Sequence, residues 1–174
     1  IKHAIDSISP HLIIASDDNA VKYIIVPFYK NSKIPVVFCG VNWSAEQYGL
    51  PANNTTGMIE VLPLHLLLDT LSYYYYGNRR IMILTENTTS ADKDKILLDT
   101  LFRNAGYQTH YRMVNTFNEW KNNFIVGNNT MDFVYIPTNG AILNWSSSEA
   151  KEFVKKNIRI PIVTCDDFMM PYAV

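Results

Sequence analysis

Short apolar runs alternate along this chain with stretches in which apolar residues recur every third or fourth position. The runs read as strands buried on both faces, and the spaced stretches as amphipathic helices. Nearly unbroken alternation of the two predicts a parallel sheet covered on both faces, because each parallel strand needs a crossover to reach the next. Ile1 to Ile8 reads as the end of a helix stopped by Ser9-Pro10, and His11 to Ser16 as a short strand. Asn19 to Tyr29 has helical spacing through Val21, Ile24, Ile25 and Phe28, with Pro27 expected to kink or end it. Ile34 to Val41 is the second strand, and Thr56 to Val61 is a short β-leaning segment. A helix then begins near Pro63, a residue favoured at the first helical position.

The second half repeats the scheme more clearly. Leu64, Leu67, Leu68 and Leu71 mark one helix face, and Gly77 is placed to cap its end. Arg80 to Thr85 is a strand. Ser90 to Ala105 is a helix with Ile96, Leu97, Leu101 and Phe102 inward and Gly106 as its stop. Tyr107 to Val114 is a strand, Asn118 to Phe124 a short helix, and Met131 to Ile136 a strand. Ser146 to Lys156 is a helix and Ile160 to Cys165 a last strand. One weak echo links the halves: an apolar strand empties into Asp17-Asp18, and another into Asp166-Asp167. Two similar α/β halves would produce it.

At 174 residues the chain is long enough for one domain or two small lobes. A net charge of −1 with scattered Lys and Arg lacks the basic footprint of a nucleic-acid binder. No run approaches the roughly 18 apolar residues of a membrane-spanning helix. The chain opens on Ile1 and stops at Val174 just after a strand-like segment, so a fragment of a longer protein is expected. Cys39 and Cys165 lie in apolar strand patterns, where buried free thiols are expected over a disulfide.

In open α/β sheets, ligands sit beyond the carboxyl ends of the strands. The two acidic pairs lie there, able to hold an amine or hydroxyls or, more plainly, to cap the helices that follow. Gly40, Asn42 and Trp43 follow the second strand, supplying close backbone approach, paired hydrogen bonding and a flat apolar wall. The alternative for Trp43 is packing on a neighbouring helix. Tyr48 adds a second amphipathic aromatic in the same loop. Thr85 to Thr89 and Pro137 to Gly140 occupy equivalent strand ends, as hydrogen-bonding walls or as turn chemistry. Neither Gly-rich phosphate motif is present, nor a G-x-S-x-G elbow. His3, His11, His65 and His110 are dispersed without zinc spacing, so no metal and no cofactor are expected. The run Tyr73 to Tyr76 reads as packing at a helix end.

The stretch IPVVFCGVNWSAEQYGL…NNTTGMIE resembles the central signature of the ABC-transporter substrate-binding family that includes tryptophan-type binding proteins. The segments RRIMILTEN, DFVYIPTNG and IPIVTCDDFM are similar to that family's second lobe. The resemblance implies a type I periplasmic-binding-protein fold: two α/β lobes with parallel sheets flanked by helices, here as an incomplete fragment. Residues 1–57 would be part of lobe 1 and 58–174 lobe 2, with a hinge crossover near 55–61. By position, Ser16, Asp17, Asp18, Gly40, Asn42 and Trp43 would line the ligand cleft from lobe 1. Asn87, Thr88, Thr138, Asn139, Asp166 and Asp167 would line it from lobe 2. None of these is given a catalytic role.

The implied function is binding of an amino acid or similar small metabolite by lobe closure, on the periplasmic or extracellular face of the bacterial cytoplasmic membrane. The partner would be an ABC permease or a fused or associated membrane signalling module. The rival reading is an α/β enzyme or receiver-like domain using Asp17-Asp18. It would need a third carboxylate and a Lys at the same strand edge, whereas Lys33 precedes its strand. A third reading is an interaction module without a ligand.

Overall fold

A computed structural model of the chain describes residues 1–74 and 79–174, apart from the side chains of Tyr74, Thr89 and Lys93. Gly77, and Tyr75 and Tyr76 of the tyrosine run, lie outside the described residues. The chain divides into two compact units, Ile1–Leu62 and Pro63–Val174.

The first unit contains α1 (Lys2–Ile8), β1 (Ile13–Ser16), α2 (Asp17–Ala20), β2 (Val36–Asn42) and β3 (Thr55–Glu60). Its sheet has the order β1-β2-β3 with all pairings parallel. Left-handed Ser9, at φ 50°, ends α1 and returns its N–H to the carbonyls of Ile5 and Asp6. Pro27 does not end the helix after α2. The chain continues from Val21 to Tyr29 as a π-helix, closed by a 2.7 Å bond from Lys30 N–H to the Ile25 carbonyl. The wider turn accommodates the ring and its missing donor, which an α-helical interior would not. Val21, Ile25 and Tyr29 pack from this helix on Val36, Phe38 and Val41 of β2. The Tyr29 hydroxyl donates to Asp6 Oδ1 at 2.7 Å, tying α1 to the same core.

A bulge separates the two halves of β2. Phe38 is opposite Gly57 and Val41 opposite Ile59, so Cys39 and Gly40 together face Met58. Gly40 is left-handed at φ 66°. Gly57 is required for another reason: a Cβ there would lie 2.1 Å from the Phe38 carbonyl oxygen and 2.5 Å from its ring. The expected crossover at 55–61 overlaps β3, which runs beside β2 to Glu60.

The second unit contains α3 (Leu64–Tyr74), β4 (Arg80–Glu86), α4 (Thr89–Asn104), β5 (Gln108–Val114), α5 (Phe117–Thr130), β6 (Phe133–Tyr135), α6 (Ser147–Asn157) and β7 (Ile162–Val163). The sheet order is β5-β4-β6-β7, again parallel throughout. Central β4 is apolar from Ile81 to Leu84 and fully buried there, as a strand covered on both faces must be. Leu64 and Leu71 of α3 are buried as expected, with Leu67 and Leu68 half-buried.

Three sequence expectations are revised. In α4, Ile96 points outward at 76% exposure, and Ala91, Leu98 and Phe102 form the buried stripe. A 3.6-residue repeat through Ala91, Leu98 and Phe102 leaves Ile96 on the outer face. The helix expected at Asn118–Phe124 runs on to Thr130 because buried Gly127 fits against Val134 and Met82, where the lack of a side chain is an advantage. The last strand is only Ile162–Val163, and Asp167–Tyr172 forms a 3-10 helix after it. Trp120 stacks on Phe124 at 5.1 Å and meets Trp145 edge-on at 5.0 Å, forming the aromatic half of the core under α5. Among the described residues, no helix is long and apolar enough to cross a membrane.

Candidate functional site

Parallel pairing carries the strand ends of each unit to one edge of its sheet, and the predicted residues collect there in two sets. In the first unit, Ser16-Asp17-Asp18 follow β1, and Asn42-Trp43 close β2 and lead out of it. Asp18 is buried, and its carboxylate is occupied. Oδ1 accepts the Tyr48 hydroxyl at 2.6 Å, and Oδ2 accepts the Asn42 N–H at 3.1 Å. Neither bond is a helix cap; Ser16 is the N-cap residue of α2 and its side chain makes no capping bond. Burial first, then the bond to Asp18, holds the Tyr48 phenol above its ordinary range. Asp18 thus fixes the loop after β2 relative to the end of β1.

Asp17 is exposed and left-handed at φ 77°, with Oδ1 taking the Asp18 N–H at 2.5 Å. Trp43 is left-handed at φ 66°, half-buried, and its N–H donates to the Glu60 carbonyl at 2.8 Å. Non-glycine residues in this region cost of order 1–3 kcal/mol and collect at functional sites. Two of them stand here beside Gly40, where a Cβ would lie 3.5 Å from the Asp17 nitrogen. Ser16, Asp17, Asp18, Gly40, Asn42 and Trp43 therefore form one neighbourhood at one edge.

In the second unit, Thr88 caps α4, with Oγ1 accepting the Ala91 N–H at 3.1 Å. Asn87 Nδ2 donates to Asn115 Oδ1 at 3.1 Å, joining the ends of β4 and β5. Glu86 Oε2 accepts the Ala141 N–H at 2.7 Å, joining β4 to the loop after β6 that carries Thr138 and Asn139. Asp166 is the N-cap residue of the last 3-10 helix without a side-chain cap, and its own N–H donates to Thr164 Oγ1 at 3.1 Å. Asp167 Oδ1 accepts the Phe168 N–H at 2.7 Å. Asp167 also lines a groove of about 400 Å³ with Thr164, Cys165, Leu67, Thr70 and Met170. Its size suits a small molecule, with an apolar wall and a few polar groups.

Glu86 lies in the strand-end segment Thr85 to Thr89 marked in the sequence, whereas Asn115, Thr164 and Tyr135 were not singled out. The first two of these follow from the strand-end rule that selected their neighbours. Tyr135 is fully buried, and no pattern of spacing marks it. Burial, the Cys165 thiol and the Asp166 carboxylate raise its phenol far above the ordinary range. Cys165 is half-buried, and burial pushes its thiol up to about 11, with Asp166 adding to the shift and Tyr135 opposing it. Such a thiol is a poor nucleophile at neutral pH. Cys39 and Cys165 are both free, as expected, but each is half-buried and not buried in its strand pattern. Among the described residues, no cluster of His, Cys, Asp and Glu has the arrangement to hold a metal ion.

No protein-family model matches the chain, and no curated protein is similar to it in sequence. Solved structures that share the fold include the following three. The ABC domain from Streptococcus pneumonia, in complex with L-Trp, is 16% identical with a TM-score of 0.68, covering 97% of this chain and 57% of its own. The ligand-free, open structure of CD0873, a substrate binding protein with adhesive properties from Clostridium difficile, is 17% identical with a TM-score of 0.62, covering 92% and 55%. A conserved domain protein from Vibrio cholerae is 12% identical with a TM-score of 0.70, covering 98% and 58%. The chain shares with these structures an α/β fold of parallel sheets flanked by helices, the fold class expected from the sequence. This chain spans a little over half the length of the structures it matches.

Proposed function

We propose that this chain is part of an extracytoplasmic domain that binds an amino acid or similar small metabolite, serving ABC-type uptake or transmembrane sensing. The reading rests on one observation. In both units every strand is parallel, and the carboxyl ends carry hydroxyl, amide, carboxylate and indole groups at adjacent positions. Such an edge is where α/β folds take small ligands. The first-unit set supplies Asp17, Asn42 and Trp43, and the second-unit set Asn87, Thr138, Asn139, Asp166 and Asp167. An acidic group can take a ligand amine, hydroxyl and N–H groups its carboxylate, and Trp43 an apolar or aromatic side chain.

Ligand contacts made only in a closed state would shift the population toward it, with the crossover out of β3 as the hinge. A permease or membrane signalling module would read that state. Chemistry by the domain itself is not part of the proposal. The likeness to an L-Trp complex makes L-tryptophan the first ligand to try.

The test is a thermal-melt and calorimetric screen of the chain against amino acids and small metabolites. A ligand at 100 times its Kd stabilises the native state by about 2.7 kcal/mol, a readily measured shift. Trp43→Ala and Asp166→Ala should each weaken binding. A screen without a single stabilising compound, or a ligand indifferent to both substitutions, overturns the assignment.

A further inference from the structure

The chain contains one Asn-Gly step, Asn139-Gly140, in the loop after β6. We propose that it is a covalent modification site, where Asn139 deamidates spontaneously through a cyclic imide to aspartate and isoaspartate. Three observations carry this. The Asn139 carbonyl accepts the Ile142 N–H at 3.1 Å, so the pair opens a tight turn in which Gly140 directly follows the asparagine. The Asn139 side-chain amide and the Gly140 N–H make no hydrogen bond among the described residues, leaving electrophile and nucleophile both uncommitted. Gly140 has no Cβ to obstruct the approach and is exposed.

Three asparagines elsewhere in the fold are held by their side-chain amides. Asn54 Nδ2 donates to the Tyr29 and Ile34 carbonyls at 2.9 and 2.6 Å, Asn128 Nδ2 to the Phe124 carbonyl at 2.9 Å, and Asn157 Nδ2 to the Phe153 carbonyl at 2.7 Å. None of them precedes a glycine.

The reaction needs only hydroxide and water. Hydroxide takes the Gly140 amide proton, and the nitrogen attacks Asn139 Cγ to form the N–Cγ bond. The Cγ–Nδ2 bond breaks, and Nδ2 leaves as ammonia after taking up a proton from water. Water then opens the imide. Cleavage of the new N–Cγ bond gives aspartate; cleavage between the nitrogen and the Asn139 main-chain carbonyl carbon gives isoaspartate. No electrons are transferred, and amide plus water has become acid plus ammonia. The product adds a carboxylate to a loop already anchored by Glu86, whose Oε2 binds the Ala141 N–H at 2.7 Å. The isoaspartyl form also inserts a methylene into the main chain just before that anchor.

The experiment ages the folded chain at body temperature in mildly alkaline and mildly acidic buffer, followed by peptide mapping with fragmentation that separates the two acids. The expected result is an amide-to-acid mass gain at Asn139 within the tryptic peptide 122–151, faster at the higher pH and rich in isoaspartate. Gly140→Ala should suppress it. The substitution fits, because its Cβ would lie 3.8 Å from Glu86 Oε2, at ordinary contact. Ageing the urea-unfolded chain is the reference. Asn139 left intact in the folded protein while the unfolded chain converts overturns the proposal, as does equal conversion in Gly140→Ala.

Discussion

Asp18 offers the sharpest test of how the first-unit site is held together. Its buried carboxylate accepts from the Tyr48 hydroxyl at 2.6 Å and from the Asn42 N–H at 3.1 Å. Hydrogen bonds to a charged group contribute about 1.5–3 kcal/mol each, and a donor left buried without its acceptor costs a similar amount. Tyr48→Phe removes one bond and should cost about 1.5–3 kcal/mol. Asp18→Ala strands both donors and should cost about 3–5 kcal/mol, less than the doubled figure because Tyr48 is half-buried and water can reach it. Asp18→Asn keeps Oδ1 for the Asn42 N–H while its amide donates to the Tyr48 oxygen, so much of the loss should be recovered.

Urea unfolding of the four proteins reads these differences directly. With a slope of about 1–3 kcal/mol per molar, the alanine variant should unfold at least about 1 M earlier. The double variant Asp18→Ala with Tyr48→Phe should be little worse than Asp18→Ala alone, since one partner is already gone. An alanine variant within about 0.5 kcal/mol of the parent, the range of surface substitutions, would refute the reasoning and return Asp18 to the pool of carboxylates available to a ligand.

Gly57→Ala should lower stability by about 1–3 kcal/mol or prevent folding of the first unit, since its Cβ would meet the Phe38 carbonyl oxygen at 2.1 Å; a thermal melt checks it, and an unchanged melt would show that β2 and β3 can separate freely at the bulge. Cys165 makes stability fall with rising pH. Its thiol is raised from 9.0 to about 11 in the native chain, so its contribution is full below pH 9.0 and is lost between 9.0 and 11 as the unfolded thiol ionises first. Alkylation followed by peptide mapping should show Cys165 reacting more slowly in the folded than in the unfolded chain near pH 9, with equal rates counting against the shift.

The fold was legible where a single physical constraint governs many residues. A parallel strand buried on both faces must be apolar throughout, which is why Ile81 to Leu84 stands out in the sequence. The same reading overshoots in the first unit, where β2 buries Val36, Phe38 and Val41 but leaves Val37 and Cys39 half-buried, and Ile14 of β1 is exposed. Helix faces were legible where leucines alone mark them, as in α3. They blurred in α4, where the exposed Ile96 lies two residues before the buried Leu98. Pro27 shows a local rule giving way: its usual disruption of a helix assumes the α-helical hydrogen-bond register, and the π-helix changes that register. Gly127 shows the opposite error, a residue of low helix propensity retained because the sheet leaves no room for a side chain.

The site was legible as positions and not as roles. That Asp17 and Asp18 end a strand follows from the apolar run before them. Their different employment follows only from burial: Asp18 is turned into the unit and holds Tyr48 and Asn42, while Asp17 stays exposed with a left-handed backbone. The same division separates Thr88, which caps α4, from Asn87, which reaches across to Asn115. Adjacent polar residues at a strand end point in different directions, and one of them is commonly needed to hold the turn. Asp17 and Trp43, with left-handed backbones at φ 77° and 66°, are therefore the first-unit residues proposed for ligand contact. The inference from such a pair to ligand contact is weaker for Asp18 and Thr88, whose hydrogen bonds already account for their presence.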